Sequence, residues 1–287
     1  MIYERETLAS ATLPIGVFDS GVGGLTVARE LRSVLPMEDI LYLGDTARVP
    51  YGTRSPETVK NYAKRVAGHL LRRGVKALVV ACNTATTYAL RDLQLVGQSH
   101  GIPVIGAIAP GTKAAIAQTQ GHIGIIGTEG TIRGGEYERQ LLAQNSDLTV
   151  TSVACPLFVS LAEEGWTDGD IANAVALRYL QTLQHGPDTL ILGCTHYPLL
   201  VDAISNALPG VQLVDSATST AHAVAQMLQA NNLLRTEGVG HTHFLVTDNK
   251  QRFVTVGTRF LGHTPDPTEL IDLEDLDQAA WDSEVAS

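Results

Sequence analysis

The sequence predicts an α/β protein whose two pseudosymmetric parallel-sheet domains face each other across a cleft that holds the active site. Two observations lead to this fold class. Short apolar runs alternate with amphipathic helical segments along the 287 residues, which is the order expected when helices connect parallel strands. The two halves of the chain also carry similar motifs in the same order. A chain of this length often forms more than one domain, in agreement with the duplication.

Strands and helices alternate in the first half of the chain. The apolar runs at residues 15–18 and 40–43 predict two short strands. A helix is expected to begin at Pro56, because a serine that can cap it precedes the proline and a glutamate follows. Residues 77–81 (ALVVA) predict a buried strand, and this strand delivers Cys82 at its carboxyl end.

The second half repeats this alternation. Further strands are predicted at residues 123–126, 189–192, 211–214 and 244–246. Helices are predicted from the loop at Thr128 to about Gln144 and at residues 170–184, 217–228 and 251–261. We expect residues 1–105 and 220–263 to form the first domain, residues 106–219 the second, and residues 264–287 an acidic C-terminal tail.

An internal repeat relates the two halves. IGVFDSGVGG, which begins at Ile15, is similar to IGIIGTEGT, which begins at Ile123, and VVACNT is similar to LILGCT. The first pair of motifs is 108 residues apart, and the cysteines of the second pair, Cys82 and Cys194, are 112 residues apart. Open α/β sheets bind ligands beyond the carboxyl ends of their strands, so the repeat places a shared site in the cleft between the domains.

The net charge of −10 is concentrated at the C-terminus. Residues 264–287 contain eight aspartates and glutamates and no lysine or arginine, so the rest of the chain carries only −2. A nearly neutral body has no basic stripe for phosphate contacts, which argues against direct nucleic-acid binding. We expect the acidic segment to be a poorly ordered, solubilising tail, with docking of a partner as the alternative.

The composition also restricts the compartment and the kind of site. No run approaches the roughly 18 consecutive apolar residues of a membrane span, and the N-terminal segment contains no apolar signal-peptide core. Three cysteines are too few and too far apart for a disulfide framework or a zinc cluster. We therefore expect a cytoplasmic protein that binds no membrane and no metal, and any functional cysteine in it to act as a thiol.

Cys82 and Cys194 are the strongest candidates for chemistry. Each follows a predicted strand and precedes a helix start, where the helix N-terminus can stabilise a thiolate. Free cysteines are commonly buried in protein cores, but burial alone does not explain two thiols at matching positions of a repeat. Cys155 has no counterpart in the repeat, and we expect it to be structural.

Further groups could move protons or bind an anion. Asp19, Glu163 and His196 are candidate proton handlers, although such residues also occur as surface acids and hydrogen-bonded histidines. Asp19 begins the motif DSGVGG, which lacks both the glycine spacing of dinucleotide-binding loops and the lysine of P-loops. Its backbone N–H groups could capture a small carboxylate at a helix start, or the motif could be a plain tight turn.

Four ordered motifs extend over most of the chain: DSGVGGLTV, GDTARVPYG, ACNTAT and LGCTHYPLL. Together they resemble the bacterial glutamate racemases, within the aspartate/glutamate racemase family, from Pro14 to about Gly262. The resemblance implies a cytoplasmic isomerase that interconverts L- and D-glutamate without a cofactor. It also implies a place in cell wall biogenesis, because such enzymes supply D-glutamate for peptidoglycan synthesis and so contribute to cell shape.

The resemblance further implies roles for individual residues. Cys82 and Cys194 would be the two catalytic thiols. Asp19, Glu163 and His196 would assist them, with Glu163 and His196 serving Cys194. The substrate-binding residues that the motifs imply are Asp19, Ser20, Tyr51, Gly52, Asn83, Thr84, Thr195 and His196.

The chemistry of these residues agrees with that implication. Racemisation requires a base on one face of the α carbon and an acid on the other, and two thiols from facing domains supply both. Pyridoxal phosphate would require a Schiff-base lysine, but none of the five lysines lies in a motif, so we expect no cofactor. The expected partner is a small-molecule substrate, and a homodimer is our hypothesis for the assembly.

Other activities stay open at this point. The same fold could racemise aspartate or another small amino acid. Alternatively, Cys194 could be the nucleophile of a thiol hydrolase with His196 as its base, although such partners are usually distant in sequence. A non-enzymatic regulator that acts through the acidic tail is the third alternative.

Overall fold

The computed structural model of the chain describes residues 10–277. In chain order, its strands are β1 (Ile15–Asp19), β2 (Ile40–Gly44), β3 (Ala77–Val80), β4 (Val104–Gly106), β5 (His122–Gly127), β6 (Thr149–Ala154), β7 (Thr189–Gly193), β8 (Gln212–Asp215), β9 (Thr242–Val246) and β10 (Thr268–Leu270). Its helices are α1 (Leu25–Val34), α2 (Pro56–Arg72), α3 (Asn83–Ser99), α4 (Ile108–Ile116), α5 (Glu129–Gly134), α6 (Glu136–Gln144), α7 (Leu157–Glu164), α8 (Gly169–Leu180), α9 (Val201–Ala207), α10 (Ser216–Ala230), α11 (Lys250–Leu261) and α12 (Leu273–Asp277). Short 3₁₀ turns at Tyr51–Thr53 and Tyr197–Leu200 complete the described elements.

The strands form two parallel sheets. The first sheet has the order β10-β9-β2-β1-β3-β4, and the second has the order β6-β5-β7-β8. Every adjacent pair of strands is parallel. The strands predicted from apolar runs are all present, with ends within two residues of those predicted. The prediction of an α/β fold with two parallel sheets is therefore confirmed.

The strands that the sequence did not predict all lie at sheet edges. They are β4, β6 and β10. The central strands β1, β2, β3 and β7 are buried along their whole length, so they have the continuous apolar character of parallel strands covered on both faces. In contrast, β6 is only half-buried and has the mixed sequence TVTSVA. An edge strand carries less apolar signal because less of it is covered.

The internal repeat corresponds to the same pair of strands in each sheet. In the first sheet, β1 lies beside β3, with Val17 in register with Val79. In the second sheet, β5 lies beside β7, with Ile125 in register with Ile191. The carboxyl ends of parallel strands meet at one edge of a sheet. Each cysteine of the repeat therefore emerges beside the glycine-rich loop of its own half.

The segment after β5 differs from its prediction. A single helix was expected as far as Gln144, but the structure has two helices, α5 and α6. They are separated at Gly135, which has a φ of +67°. This left-handed conformation ends a helix and favours glycine, which has no side chain to clash there.

The expectation of a poorly ordered tail from residue 264 is wrong for its first part. β10 extends the first sheet beside β9, and α12 follows it. Ile271 and Leu276 are buried in the core of the first sheet, and Arg72 donates a hydrogen bond to the Asp275 carbonyl oxygen at 2.8 Å. Two apolar side chains thus anchor a segment that its charge suggested would stay in solvent. The residues after 277, with the last acids of the segment, lie outside the described residues.

The connection from β8 in the second sheet to β9 in the first sheet begins with α10. This helix matches the prediction for residues 217–228, and Asp215 caps it by accepting a hydrogen bond from the Ala217 N–H at 2.8 Å. α10 packs against α1 beside the first sheet and α4 beside the second. The exact domain boundaries stay a prediction. None of the helices between residues 10 and 277 is long and apolar enough to cross a bilayer.

A buried ion pair gives a prediction about stability. Lys76 and Glu38 form a salt bridge with side chains 0% and 1% exposed. Lys76 also donates to the Ala11 carbonyl oxygen at 2.6 Å. Lys76→Met leaves the Glu38 carboxylate buried without its cationic partner, although the Arg235 N–H still donates a hydrogen bond to it at 2.8 Å. We expect the variant to lose about 3–5 kcal/mol of unfolding free energy, measured by urea denaturation.

The matched control is an exposed ion pair. Arg73 and Glu269 are 2.9 Å apart, with side chains 39% and 42% exposed. Because water already solvates such a pair, Arg73→Met should cost less than about 1 kcal/mol. Equal losses in the two variants would contradict the role assigned to burial of the Lys76 charge.

Candidate active site

The carboxyl ends of β1, β3 and β7 open into one pocket between the two sheets. The space between its lining atoms is about 440 Å³, which includes open solvent at its mouth. The structure brings together in this pocket all the site residues expected from the sequence except Asp19, which is buried at the end of β1. The lining residues are Ser20, Gly21, Val49, Pro50, Tyr51, Gly52, Cys82, Asn83, Thr84, Thr128, Val159, Glu163, Cys194, Thr195 and His196.

Cys82 lies at the N-terminus of α3. Its Sγ accepts a hydrogen bond from the Ala85 N–H at 3.4 Å and lies 3.8 Å from the Ser20 hydroxyl oxygen. Burial raises the pKa of the Cys82 thiol to about 12, and the nearby carboxylate of Asp19 contributes to the rise. The thiol therefore holds its proton at neutral pH, as a proton donor must.

Asp19 connects the two halves of the site. Its Oδ2 accepts a hydrogen bond from the Gly21 N–H at 2.9 Å, and its Oδ1 lies 3.5 Å from the Thr195 hydroxyl oxygen. Burial raises the pKa of Asp19, and the positive charge of His196 opposes this rise. One carboxyl group thus influences the thiol after β3 and contacts the loop after β7.

Cys194 belongs to a chain of polar contacts. Its Sγ lies 3.8 Å from His196 Nδ1, and His196 Nε2 lies 3.2 Å from Glu163 Oε1. Burial by itself lowers the pKa of His196, but the contacts with Cys194 and Glu163 outweigh it and raise the pKa to about 10. Burial likewise opposes ionisation of Glu163, but His196 and Arg252 lower its pKa overall. A protonated imidazole next to an ionised carboxylate is therefore the form present at neutral pH.

Cys194 and His196 are in contact although only one residue separates them in the chain. This spacing argued against a thiol hydrolase, whereas the resemblance implied that His196 assists Cys194. The Tyr197 N–H donates to the Cys194 carbonyl oxygen at 3.1 Å, so the chain makes a tight turn immediately after β7. In that turn the imidazole folds back onto the sulfur.

Asn83 presents a buried donor at the pocket. Its Oδ1 accepts a hydrogen bond from the Tyr137 hydroxyl at 2.7 Å. Its Nδ2 is buried and has no hydrogen-bond partner within residues 10–277. A buried donor without a partner costs free energy, so this amide is suited to bind a carboxylate oxygen of a ligand.

Two other expected binding residues have hydroxyl groups already engaged. The Thr84 hydroxyl oxygen lies 2.9 Å from that of Thr128 and 3.2 Å from that of Thr131. The Tyr51 hydroxyl donates to Asp45 at 2.6 Å. Tyr51 consequently offers the pocket its ring and backbone, while its hydroxyl fixes the loop before α2.

Glycines allow close packing at the pocket. A Cβ atom at Gly23 would lie 2.3 Å from Thr195 Oγ1 and 2.4 Å from His196 Nδ1. At Gly52 it would lie 2.7 Å from the Cβ of Thr128. Real Cβ atoms essentially never approach so closely. Gly23, in the motif DSGVGG, thus makes room for side chains from the other half of the chain, a role that neither interpretation of the motif included.

Sequence reasoning missed some residues at the site. Thr128 occupies the position in the repeat that corresponds to Ser20, so a closer comparison of the two glycine-rich loops could have found it. Val159 lines the pocket from α7, and Arg252 lies 3.3 Å from Glu163. Arg252 and Glu163 are 89 residues apart in the chain, and no local pattern signals their contact.

Two further expectations concern groups outside the pocket. Cys155 is buried, and its Sγ lies 3.8 Å from the Val153 carbonyl oxygen. Burial raises the pKa of this thiol to about 12. Its purely structural role stays a prediction. In the part of the chain that the structure describes, no group of three or more histidines, cysteines and acids is arranged to hold a metal ion.

The chain is similar to known racemases over most of its length. The family model described as Asp/Glu/Hydantoin racemase matches residues 25–224. A glutamate racemase of Geobacter metallireducens is 53% identical over 252 residues, which cover 86% of this chain and 92% of that protein.

Solved structures extend the similarity to the fold. A glutamate racemase of Francisella tularensis in complex with D-glutamate has 38% identity and a TM-score of 0.87, covering 92% of this chain and 99% of that one. Glutamate racemase of Escherichia coli, in a complex that includes L-glutamate, has 27% identity and a TM-score of 0.73, covering 91% and 98%. The matches in sequence, over most of both chains, establish that this chain belongs to the Asp/Glu/hydantoin racemase family.

Proposed function

We propose that this chain interconverts L- and D-glutamate by proton transfer between the substrate α carbon and two thiols, Cys82 and Cys194. The observation that carries the proposal is the pocket itself. It is lined by one cysteine from each half of the internal repeat, at the carboxyl ends of corresponding strands of the two sheets. The relatives solved with D-glutamate and with L-glutamate support glutamate as the substrate.

Each turnover moves one proton on each face of the α carbon. A thiolate on one face takes the proton, so the Cα–H bond breaks and its electron pair stays on carbon as an S–H bond forms. The thiol on the other face gives up its proton, so a Cα–H bond of opposite configuration forms and a thiolate remains. Atoms and electrons balance without any oxidant or added group. A positioned acid and base typically contribute about 10²- to 10⁴-fold in rate.

The two sulfurs differ in their assistants. Cys82 has the Asp19 carboxyl group near it, which favours the protonated thiol or receives its proton, and the Ser20 hydroxyl, which acts in the opposite direction and lowers the thiol pKa. Cys194 has the His196 imidazole at 3.8 Å, with Glu163 behind it. A protonated His196 places a positive charge beside the sulfur, an arrangement that stabilises a thiolate. We therefore assign Cys82 as the proton donor and Cys194 as the base in one direction of the reaction.

Polar groups around the sulfurs would hold the substrate carboxylates. The Asn83 amide offers a donor that is unpaired within residues 10–277, and the hydroxyls of Ser20 and Thr195 lie on either side of the pocket. Held in this way, the α carbon would be fixed between the thiols. Fixed orientation of the reacting atoms lowers the barrier because the entropy of alignment is lost on binding rather than in the transition state.

A direct assay tests the proposal. Purified protein without added cofactor is given L-glutamate or L-aspartate, and chiral chromatography measures the D enantiomer. Racemisation of glutamate well above that of aspartate supports the proposal. Preference for aspartate would assign the chain to another activity of the same fold.

Hydrogen exchange at the α carbon separates two bases from one. When L-glutamate reacts in heavy water and the reaction is stopped early, the D-glutamate formed should carry deuterium at Cα. The delivering thiol exchanges with solvent before turnover, so it supplies deuterium rather than the proton just removed. Mass spectrometry of the separated enantiomers measures the label.

Recovered L-glutamate is the internal control for that experiment. It should carry little deuterium, because return of a label from the abstracting thiol requires exchange within the lifetime of the carbanion. Substantial retention of the original hydrogen in early D-glutamate would indicate a single base that serves both faces. That outcome would exclude the two-thiol mechanism even if glutamate is racemised.

Cys194, His196 and Glu163 form a series of contacts from thiol to imidazole to carboxylate. Thiol hydrolases use the same arrangement, in which the imidazole activates a nucleophilic sulfur. The second thiol, Cys82, lines the same pocket and favours racemisation by proton transfer over hydrolysis, because the hydrolase mechanism requires a single nucleophilic thiol. Intact-protein mass spectrometry during turnover should show no substrate adduct. A covalent adduct on Cys194 would revive hydrolysis as the activity.

The proposal extends to location and assembly. A cytoplasmic enzyme of this activity would supply D-glutamate for peptidoglycan, as the resemblance to bacterial glutamate racemases implies. The homodimer is supported by large apolar side chains exposed at and near α7 and α8, namely Leu157, Trp166, Ile171 and Leu177. Sedimentation equilibrium would decide between a dimer and a monomer.

A further inference from the structure

The Glu163 carboxylate is shared between a catalytic histidine and a surface arginine. Its Oε1 lies 3.2 Å from His196 Nε2, and its Oε2 lies 3.3 Å from Arg252 Nη2. The Glu163 side chain is 24% exposed, whereas that of Arg252 is 52% exposed. Each oxygen of the carboxylate therefore has its own cationic partner, one inside the pocket and one outside it.

These contacts cross between the two halves of the molecule. Glu163 lies in α7, the helix that follows strand β6 of the second sheet. Arg252 lies in α11, which packs against α1 and β10 beside the first sheet. Arg252 also contacts Glu164 Oε1 at 3.3 Å. About two helical turns further along α11, Arg259 donates a hydrogen bond to the Glu163 carbonyl oxygen. The C-terminal end of α7 is thus tied to α11 through both side chain and backbone.

We propose that Arg252 is a positioning residue, which holds the Glu163 carboxylate against His196 and so sets the orientation and charge of the imidazole beside Cys194. The proposal deepens the function proposed above and rests on it. Arg252 does not touch the reacting atoms. Its effect passes through Glu163 and His196 to the sulfur.

The charges around the His196 imidazole indicate how loss of Arg252 would change the Glu163 carboxylate. His196 is surrounded by Glu163 and Cys194, with Asp19 as a further negative group across the Thr195 hydroxyl. Arg252 is a positive group on the outer side of Glu163 and favours its ionised form. Without the arginine, the carboxylate loses a hydrogen bond and is free to rotate away from Nε2. It also takes up a proton at higher pH, because a nearby positive charge lowers a carboxyl pKa.

Arg252→Gln tests the proposal by two independent measurements. Carbon-13 NMR of labelled glutamate carboxyl groups, with the Glu163 signal identified by its loss in Glu163→Gln, should show a higher Glu163 pKa in the variant. In the glutamate racemisation assay, the acidic limb of kcat/KM against pH should move to higher pH. We expect kcat/KM at neutral pH to fall about two- to fivefold, the size expected for a half-exposed ion pair.

Two variants distinguish a positioning role of Arg252 from a purely structural role in holding α7 against α11. Arg252→Lys keeps the positive charge and should restore most of the activity and the wild-type position of the acidic limb. Glu164→Gln removes the other carboxylate that Arg252 contacts but leaves Glu163 and His196 paired, so its pH profile should match the wild type. Circular dichroism checks that each variant is folded.

The outcomes distinguish failure of this inference from failure of the proposed function. An unchanged Glu163 pKa and an unchanged acidic limb in Arg252→Gln would overturn the inference, as would an equal change in Glu164→Gln. If the wild-type chain does not racemise glutamate, the proposed function fails. In that case the NMR titration alone still decides whether Arg252 controls the charge of Glu163.

Discussion

Replacement of Cys82 or Cys194 by serine is expected to lower kcat/KM for glutamate racemisation by about 10²- to 10⁴-fold. A hydroxyl group is a far poorer base than a thiolate, and each variant lacks one of the two groups that exchange a proton with the α carbon. The fold should survive. In Cys82→Ser, the new oxygen can still accept the hydrogen bond from the Ala85 N–H that begins α3. The measurement is the racemisation assay in both directions, with circular dichroism as a test of folding.

Cys155→Ser is the matched control for the two thiol variants. Cys155 is equally buried but does not line the pocket, and its sulfur contacts only the Val153 carbonyl oxygen among the hydrogen bonds described. The variant should keep most of the activity. Loss of activity in Cys155→Ser with retention in Cys194→Ser would show that the cysteine assignment from the repeat is wrong.

Gly23→Ala is expected to lower kcat/KM by at least about 10²-fold, although it adds only a methyl group. The new Cβ would lie 2.3 Å from Thr195 Oγ1 and 2.4 Å from His196 Nδ1, so these side chains or the loop that carries residue 23 must shift. A displacement of about 1 Å in a catalytic group is enough for such a loss. The assay is run beside urea denaturation, which reports whether the whole protein is destabilised as well.

Gly111→Ala provides the control for the added methyl group. Gly111 lies in α4, and a Cβ there would meet its nearest neighbour, Tyr137, at an ordinary contact distance of 3.5 Å. Alanine also favours a helix over glycine by about 1 kcal/mol, so this variant should be active and at least as stable as the wild type. Wild-type activity in Gly23→Ala would contradict the steric role assigned to Gly23.

The thiols and most of their surroundings were accessible from the sequence. Cys82 and Cys194 follow buried apolar strands at matching positions of a repeat, and strands of this kind are determined by local composition. Since parallel strands end at one edge of a sheet, their positions imply that both sulfurs reach a common cleft. The same comparison contained Thr128, at the position that corresponds to Ser20.

Contacts between distant segments were not accessible in the same way. From the sequence alone, Gly23 looks like a flexible turn residue. The structure shows that it makes room for the side chains of Thr195 and His196. The contact of Arg252 with Glu163 depends on how α11 and α7 approach each other, and neither helix has a pattern that reveals its neighbour. The same holds for Ile271 and Leu276, whose burial depends on an edge of the first sheet being free to receive β10.

Local sequence features are sufficient to predict alternating strands and helices, two repeated halves and a thiol at the same place in each half. Those properties follow from the spacing of apolar residues and from motifs that act within a few residues of one another. Three other features become visible in the folded chain alone: the charges around each thiol, the glycines that make room for side chains, and the pairing of part of the acidic segment with the first sheet. These depend on distances between segments far apart in the chain, which are set when the two sheets and their helices pack together.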